Sequence, residues 1–235
     1  MVGGVTSTTM ELDAIDASLR RRFRVAQTEV PIRGHALSLL HPASAEELIN
    51  EADFERDERL PYWAELWPSS RVLGARVLEE TGNGRSLLEL GCGSGLVSTC
   101  AALARFHVCV SDYYEDAVRF ARLNVWRNAH CVARGLMLDW RRLPIDLPRF
   151  DVVVASDVLY ERPYGALVAR VIAAALGPGG TAIVADPGRV GRDDFIREIG
   201  RVGLEIVAKR HERFVDGQIR QQIAIYEIGW HQSSR

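Results

Sequence analysis

Lysine is nearly absent from this 235-residue chain, in which Lys209 is the only one. A lysine that forms a Schiff base or acts as a base therefore has a single candidate, and it falls in a segment with the pattern of a late strand. A phosphate-binding loop with a Gly-Lys-Ser/Thr sequence is also missing. These absences exclude P-loop nucleotide chemistry and leave one residue for lysine-based catalysis.

Paired cysteines, metal-ligand spacings and long apolar runs are missing as well. The four cysteines contain no CxxC pair and the six histidines are scattered, so we expect reduced core thiols and no metal site. No apolar run reaches the length of a membrane span, and the N-terminal segment lacks the apolar core of a signal peptide. The formal net charge of -2 argues against a general nucleic-acid or membrane-surface binder. We therefore expect a cytoplasmic protein with neither kind of partner.

Short apolar runs alternate with helical stretches from Ser86 onward. This alternation predicts βαβ units and therefore an α/β fold with a mostly parallel sheet. Two further strand-like segments flank "VDGQ" near the C-terminus, which predicts an antiparallel hairpin on the sheet's edge. The core strands are expected at "SLLEL", "HVCVSD", "GLMLD", "DVVVASD" and "GTAIVAD".

The N-terminal part follows a different pattern. It predicts a helix over residues 11–22, two strands that turn at Arg33 and Gly34, and a polar helix at "SAEELINEAD". The aromatic segment "LPYWAELWP" then leads into a helix that starts near Pro68, since proline is favoured in a first helical turn. We expect residues 1–60 to form an extension packed on a core domain of residues 61–235.

A glycine-rich loop, "LLELGCGSGL", joins the first core strand to the next helix. Gly91, Gly93 and Gly95 let the backbone turn tightly and approach a ligand at the positive end of a helix. The loop is not the dinucleotide fingerprint G-x-G-x-x-G, because Leu96 stands where the third glycine would be. Glu89, just before the loop, adds negative charge where a cationic ligand could sit.

Acidic and aromatic residues close the next two strands. Asp112 ends the second strand, where a carboxylate can accept the hydroxyls of a ribose. Asp139 and Trp140 close the third strand, where a carboxylate and an indole could hold an adenine. All three are expected at the carboxyl edge of the sheet, which is where open α/β sheets bind ligands.

The order of elements, the glycine loop and these acids resemble a seven-strand S-adenosylmethionine-dependent methyltransferase over about residues 60–229. "PYWAELWP", "NVWRN" with Asn124 and Asn128, "LDW" and "SDVLY" are together similar to protein-lysine methyltransferases marked by Asp-x-x-Tyr after strand four. "ADPGR" after strand five is similar to the branch with the electron-transfer-flavoprotein β-subunit lysine methyltransferase and its bacterial relatives. The resemblance implies a Rossmann-like sheet, S-adenosylmethionine as cofactor and a protein substrate that presents a lysine.

The resemblance also implies a role for each matching position. The glycines would line the methionine and ribose part of the cofactor, Trp67 would close over it, and Asp157 and Tyr160 would face the methyl group. The residues expected to hold the cofactor are Trp67, Glu89, Gly91, Gly93, Gly95, Asp112, Asp139, Trp140 and Ser156.

The Asp-x-x-Tyr sequence has a chemical reason to lie at this edge. A central parallel strand is buried on both faces, so "DVVVA" delivers Asp157 and Tyr160 to the cofactor. A lysine ammonium has no free lone pair, and burial beside a positive sulfur lowers its pKa toward the reactive amine. Asp157 would orient that amine and Tyr160 would shape the slot. Asp186 and Arg189 of "ADPGR" are expected to bind substrate.

Other functions stay open. The absence of Asn/Asp-Pro-Pro-Tyr argues against amide and nucleobase nitrogens as methyl acceptors. A small-molecule amine N-methyltransferase on the same fold is the alternative, since a fold does not fix its substrate. A non-catalytic cofactor-binding module is the third reading, against which intact Gly91, Asp112, Asp139 and Asp157 count.

Overall fold

A seven-stranded sheet forms the centre of the molecule. The computed structural model describes residues 3–45, 48 and 62–231, with side chains from residue 9 onward. Its helices are α1 (Gly3–Arg22), α2 (Pro68–Val77), α3 (Leu96–Leu103), α4 (Glu115–Ala129), α5 (Arg162–Ala175) and α6 (Arg192–Arg201). Its strands are β1 (Val25–Ile32), β2 (His35–Pro42), β3 (Ser86–Leu90), β4 (His107–Asp112), β5 (Arg134–Met137), β6 (Phe150–Ser156), β7 (Leu176–Asp186), β8 (Leu204–Asp216) and β9 (Ile219–Trp230).

The strand order in the large sheet is β5-β4-β3-β6-β7-β9-β8. Strands β3 to β7 pair in parallel, whereas β9 is antiparallel to both β7 and β8. The predicted parallel sheet with a C-terminal antiparallel hairpin is therefore confirmed. β6 lies between β3 and β7, and its residues 152–155 are all buried because helices cover both faces.

The N-terminal segment packs against α4. Strands β1 and β2 form a separate antiparallel pair whose turn is at Arg33 and Gly34, as predicted, and both residues have positive φ values of 45° and 79°. Leu19 of α1 and Leu40 of β2 are buried in one cluster with Phe120 and Leu123 of α4. The first helix is longer than expected, since it begins at Gly3, and most of the polar helix predicted at "SAEELINEAD" lies outside the described residues.

Two asparagines of α4, Asn124 and Asn128, bind the backbone of β2 and are called the amide pair below. Asn124 accepts from the N–H of Leu40 and donates to its carbonyl, with distances of 2.8 and 2.7 Å. Asn128 does the same with Ser38, at 2.8 and 3.0 Å. Asn124 also donates to the carbonyl of Ser94 in the glycine loop at 2.8 Å. The amide pair therefore connects the N-terminal hairpin to the loop that follows β3.

Cysteines and histidines form no composite site in the part of the chain that the structure describes. No group of three or more His, Cys, Asp or Glu side chains there is placed to hold a metal ion. All four cysteines are free, and three are buried as expected, but Cys131 is exposed because it lies in the loop after α4. Within those residues no helix is both long enough and apolar enough to cross a membrane.

Candidate active site

A cleft of about 950 Å³, measured to its open mouth, lies at the carboxyl edge of the sheet. The loops after β3, β4, β5 and β6 line its floor, and the aromatic segment before α2 forms one wall. This is the position where open parallel sheets bind ligands. The predicted site residues that line it are Trp67, Gly91, Gly93, Gly95, Asp112, Asp139, Trp140, Ser156, Asp157 and Tyr160.

All three glycines of the loop after β3 have a left-handed backbone, with φ values of 64°, 50° and 79° at Gly91, Gly93 and Gly95. A Cβ on Gly95 would lie 2.5 Å from the Cα of Ala121, and one on Gly93 would lie 2.9 Å from the carbonyl oxygen of Trp63. The loop needs glycine both for its conformation and because α4 and the aromatic segment approach it closely. The conformational part of the sequence prediction is confirmed.

Ser94 lies between these glycines and was not predicted as a site residue. Its side chain is buried and lines the cleft, yet its Oγ makes no hydrogen bond. A buried hydroxyl without a partner costs free energy of about 1–3 kcal/mol, so it favours a bound polar group. The sequence signal was weak, because serine is common in any glycine-rich turn.

Asp112 ends β4 and faces the cleft from below the glycine loop. Its Oδ2 accepts from the backbone N–H of Gly93 and its Oδ1 accepts from that of Tyr114, both at 3.1 Å. Burial raises the pKa of this carboxyl to about 6. Each oxygen keeps capacity for a further hydrogen bond, which suits the hydroxyls of a ribose.

Glu89 does not line the cleft, contrary to its predicted role beside a cationic ligand. Its side chain is buried below α3, where it accepts from the backbone N–H of Ser98 at 2.9 Å and from the Ser98 hydroxyl. Burial raises the pKa of Glu89 to about 8, so the residue is mostly neutral at pH 7. Strand residues alternate between faces, and this position faces α3 rather than the sheet's edge.

Asp139 and Trp140 lie just beyond β5, which ends at Met137 rather than at Asp139 as predicted. The carboxylate of Asp139 accepts from Arg141, from its backbone N–H at 3.0 Å and its Nε at 2.9 Å. The indole of Trp140 packs edge-on against Tyr164 at 5.7 Å, and its buried Nε1 has no hydrogen-bond partner. Both predicted residues line the cleft, together with an arginine that the prediction did not include.

Aromatic rings form a continuous wall on one side of the cleft. Tyr62 packs against Trp67 at 6.0 Å and against Tyr160 at 5.3 Å, and Tyr160 packs against Tyr164 at 5.0 Å. Burial raises the pKa of Tyr160 above its ordinary value, so its phenol stays protonated at neutral pH. Of these rings, Tyr62 and Tyr164 were missed, because single tyrosines carry no motif.

Asp157 directly follows β6 and has a left-handed backbone, with φ at 58°. Aspartate is among the few residues that tolerate this conformation, which directs the side chain away from the strand. Its Oδ2 accepts from the Ser69 hydroxyl of α2 at 2.9 Å. Its Oδ1 accepts from Nε of Arg189 at 2.6 Å, and the Arg189 guanidinium also lies over the ring of Trp67, 5.2 Å from its centroid.

Asp186 and Arg189 have different positions in the loop after β7. The carboxylate of Asp186 is buried and accepts from the backbone N–H groups of Gly188 and Arg189 at 2.8 and 3.2 Å. Burial raises the pKa of this carboxyl. Asp186 therefore shapes the loop and does not line the cleft, whereas Arg189 reaches the cleft's rim through Asp157.

The polar groups of the cleft fit a nucleoside cofactor. Asp112 offers acceptors, Ser94 offers a hydroxyl without a partner, and Trp140 offers a buried N–H next to an aromatic face. Such a mixture of aromatic surface with few convergent polar groups is typical of cofactor sites.

The strand order and the cleft define the class of Rossmann-like methyltransferases, and comparison with known proteins gives the family. Residues 62–220 match the family model of a methyltransferase domain, which is more than half of the chain. The N-methyltransferase NodS from Bradyrhizobium japonicum, solved with S-adenosyl-L-homocysteine, has the same fold. Its TM-score is 0.54 at 18% identity, over 77% of this chain and 94% of NodS. The chain belongs to the methyltransferase-domain family, whose cofactor is S-adenosylmethionine.

Curated relatives fall into more than one substrate class. Protein-lysine methyltransferase METTL21E from Bos taurus is 32% identical over 160 residues, which cover 62% of this chain and 51% of METTL21E. A ubiquinone biosynthesis O-methyltransferase from Bordetella pertussis is 32% identical over 104 residues, which cover 42% of this chain and 41% of that protein. The chain thus matches only about half of the length of these relatives.

Proposed function

We propose that this protein transfers a methyl group from S-adenosylmethionine to the side-chain nitrogen of a lysine in another protein. The observation that carries the proposal is the carboxylate of Asp157, which is buried at the end of β6 beside an aromatic wall and opposite the glycine loop. Similarity to METTL21E, a protein-lysine methyltransferase, supports the same substrate class.

The cofactor would be held by residues whose chemistry matches its parts. Asp112 would accept the ribose hydroxyls, and Trp140 with Asp139 would flank the adenine. Ser94 and the glycine backbone would face the amino-acid end, and Trp67 would cover the bound molecule. When bound, the cofactor supplies a methyl group on a positively charged sulfur.

The chain's own residues would prepare the lysine amine. The aromatic wall excludes water, and this desolvation together with nearby positive charge lowers the pKa of the incoming ammonium. Asp157 recognises and orients the nitrogen, while the neutral phenol of Tyr160 shapes the slot. Correct alignment of reacting groups contributes up to about 7–11 kcal/mol in ideal cases.

The guanidinium of Arg189 is bound to the carboxylate of Asp157, which is where the substrate nitrogen is expected. Because its Nε lies 2.6 Å from Oδ1 of Asp157, an ammonium that uses the same oxygen takes its place. Ser69 still holds Oδ2, so the carboxylate keeps its orientation during the exchange. Arg189 is then a neighbour that yields to the substrate rather than a group that binds it directly.

The test is transfer of radiolabelled methyl groups from S-adenosylmethionine to proteins of a cell extract. Asp157→Asn keeps the size of the side chain and tolerates a positive φ, so it removes the charge with little strain. We expect wild type to label a discrete protein band, Asp157→Asn to lose at least 90% of the rate, and both to bind S-adenosylhomocysteine equally. The exposed Asp146→Asn is the matched control, with unchanged rate.

Two results would contradict the proposal. Equal rates for Asp157→Asn and wild type would remove Asp157 from the reaction. If label appeared only in small molecules, the substrate would be a metabolite amine and not a protein. Self-labelling on lysine is recognised with one variant, Lys209→Arg, because the chain has no other lysine. In the same assay Arg189→Met should lower the KM for the labelled protein, whereas a higher KM would make Arg189 a direct substrate contact.

A further inference from the structure

A second pocket lies beside the active cleft, between the loop after β7 and the β8–β9 hairpin. The space within it, part of which is open to solvent, is about 990 Å³. The residues that define it, called the basic pocket below, are Arg192, Lys209, His211, Arg220 and Tyr226. Lys209 pairs directly with Tyr226 across the antiparallel strands, so the two side chains lie on the same face of the hairpin.

Positive charge in the basic pocket is only partly neutralised. Lys209 and Arg220 are exposed, and no carboxylate forms an ion pair with either in the part of the chain that the structure describes. Arg192 pairs with Asp193 at 3.0 Å. The carboxyl group that lines this pocket is Asp186, which is occupied by two backbone N–H groups. The pocket therefore favours an anionic group.

One residue that lines the pocket has a buried polar atom without a hydrogen-bond partner. Tyr226 is fully buried, and its phenol oxygen makes no hydrogen bond. The Lys209 ammonium lies over the Tyr226 ring, 5.3 Å from its centroid. A phenol O–H donates to a carboxylate, so an acidic side chain of a peptide matches the unpaired group of Tyr226.

Arg189 connects the two sites. It lines the basic pocket, and its Nε binds the carboxylate of Asp157 in the active cleft. A ligand in the basic pocket consequently lies one side chain away from the position proposed for the substrate nitrogen.

We propose that the basic pocket binds an acidic side chain of the protein substrate close in space to the methylated lysine. The proposal rests on the lysine-methyltransferase function above and adds the chemistry of its substrate. Lys209 and Arg220 attract the carboxylate, and Tyr226 donates a hydrogen bond within the pocket.

The first test measures binding without any methyl transfer. The blocked peptide triglutamate is titrated into the full chain and followed by amide NMR, with triglutamine and inorganic phosphate as comparisons. We expect triglutamate to shift the amide signals of residues 209–211 and 220–226. Triglutamine should cause no shifts, and phosphate should bind more weakly than triglutamate. Lys209→Ala with Arg220→Ala should weaken triglutamate binding at least fivefold, and Tyr226→Phe should weaken it measurably. Arg21→Ala with Arg127→Ala removes the same charge elsewhere and should leave binding unchanged.

Several outcomes would overturn the proposal. These are no shift with triglutamate, equal binding by wild type and either pocket variant, or phosphate binding as tightly as triglutamate. If extract labelling succeeds, the Lys209 and Arg220 double variant should also raise the KM for the labelled protein at least fivefold, with unchanged affinity for S-adenosylhomocysteine. If no protein is labelled by wild type, the lysine-methyltransferase function fails while the NMR result still decides whether the pocket binds carboxylates.

Discussion

Buried carboxyl groups at this sheet edge are distinguished by their partners. Asp112 accepts from the backbone N–H groups of Gly93 and Tyr114, whereas Asp157 accepts from Arg189 and Ser69. Glu89 accepts from Ser98, away from the cleft. Burial raises the pKa of Asp112, Glu89 and Asp186 above the ordinary values. Asp186 is held by two backbone N–H groups of its own loop. The four acids therefore differ in the hydrogen bonds that they can still offer a ligand.

Cofactor affinity should depend on pH through Asp112. Ribose hydroxyls donate to its ionised form, and its pKa of about 6 means that few molecules are ionised at pH 5. Affinity for S-adenosylhomocysteine should be about tenfold weaker at pH 5 than at pH 7, because the competent fraction falls by that factor. Titration calorimetry across this range measures the effect, and Asp112→Asn should bind weakly with no such dependence.

The contribution of Asp112 to folding stability changes with pH in the opposite direction to its contribution to cofactor affinity. The pKa of Asp112 is raised on folding, so its contribution to stability is fully present below its unfolded pKa, near 4, and is lost as pH rises through about 6.

Cofactor affinity that stayed constant between pH 5 and pH 7 would contradict the role of Asp112 as the ribose acceptor.

Among the elements, α4 connects the N-terminal hairpin to the loop after β3. Asn124 is fully buried and makes three hydrogen bonds, two to Leu40 of β2 and one to Ser94 of the glycine loop. Asn128 is half-buried and binds Ser38 and its own helix. The N-terminal hairpin and the glycine loop therefore depend on the same face of α4.

Asn124→Ala should lower the free energy of unfolding by about 2–4 kcal/mol, since it leaves buried backbone groups unpaired. Asn128→Ala is the matched control and should cost about 1 kcal/mol, because water can replace its bonds. Urea denaturation measures both. Asn124→Ala should also weaken S-adenosylhomocysteine binding, because the carbonyl of Ser94 loses its partner. Equal destabilisation by the two variants would remove the special role of Asn124.

Local patterns in the sequence predicted most elements of the fold. Strand periodicity located β3 to β9, and the loop after β3 needed glycine for reasons that are local to its backbone. The pair between Asp157 and Arg189 could not be predicted in this way, because it joins two loops that approach only after β6 and β7 pair. The same holds for Ser69, whose hydroxyl reaches Asp157 from α2. The side chain of Glu89 faces α3 instead of the cleft, and this direction likewise depends on how α3 packs.

At the scale of the whole molecule, the N-terminal segment completes the core. Phe23 packs on both Phe120 and Trp63, with ring centroids 5.9 and 6.3 Å apart. The carbonyl of Trp63 in turn lies against Gly93 of the glycine loop. A continuous path of packed side chains thus leads from the extension to the cleft.

Deletion of residues 1–45 should destabilise the core domain rather than release it intact. It uncovers Phe120 and Leu123, whose exposure costs about 3–6 kcal/mol together, and it leaves Asn124 without its partners in β2. Urea unfolding and S-adenosylhomocysteine binding of the truncated chain measure the effect. A truncated chain with the same unfolding midpoint and the same affinity would show that the extension is a separable domain.

The amide pair has one more consequence, which concerns contacts between copies of the chain. A β-strand with unpaired N–H and C=O groups along one side can recruit a strand from another molecule and begin aggregation. On β2 that side faces α4, where two carboxamides spaced one helical turn apart reproduce the donors and acceptors of a neighbouring strand at residues 38 and 40. A helix thereby takes the place of a neighbouring strand at residues 38 and 40 of β2, and the backbone groups of these two residues are not available for intermolecular pairing.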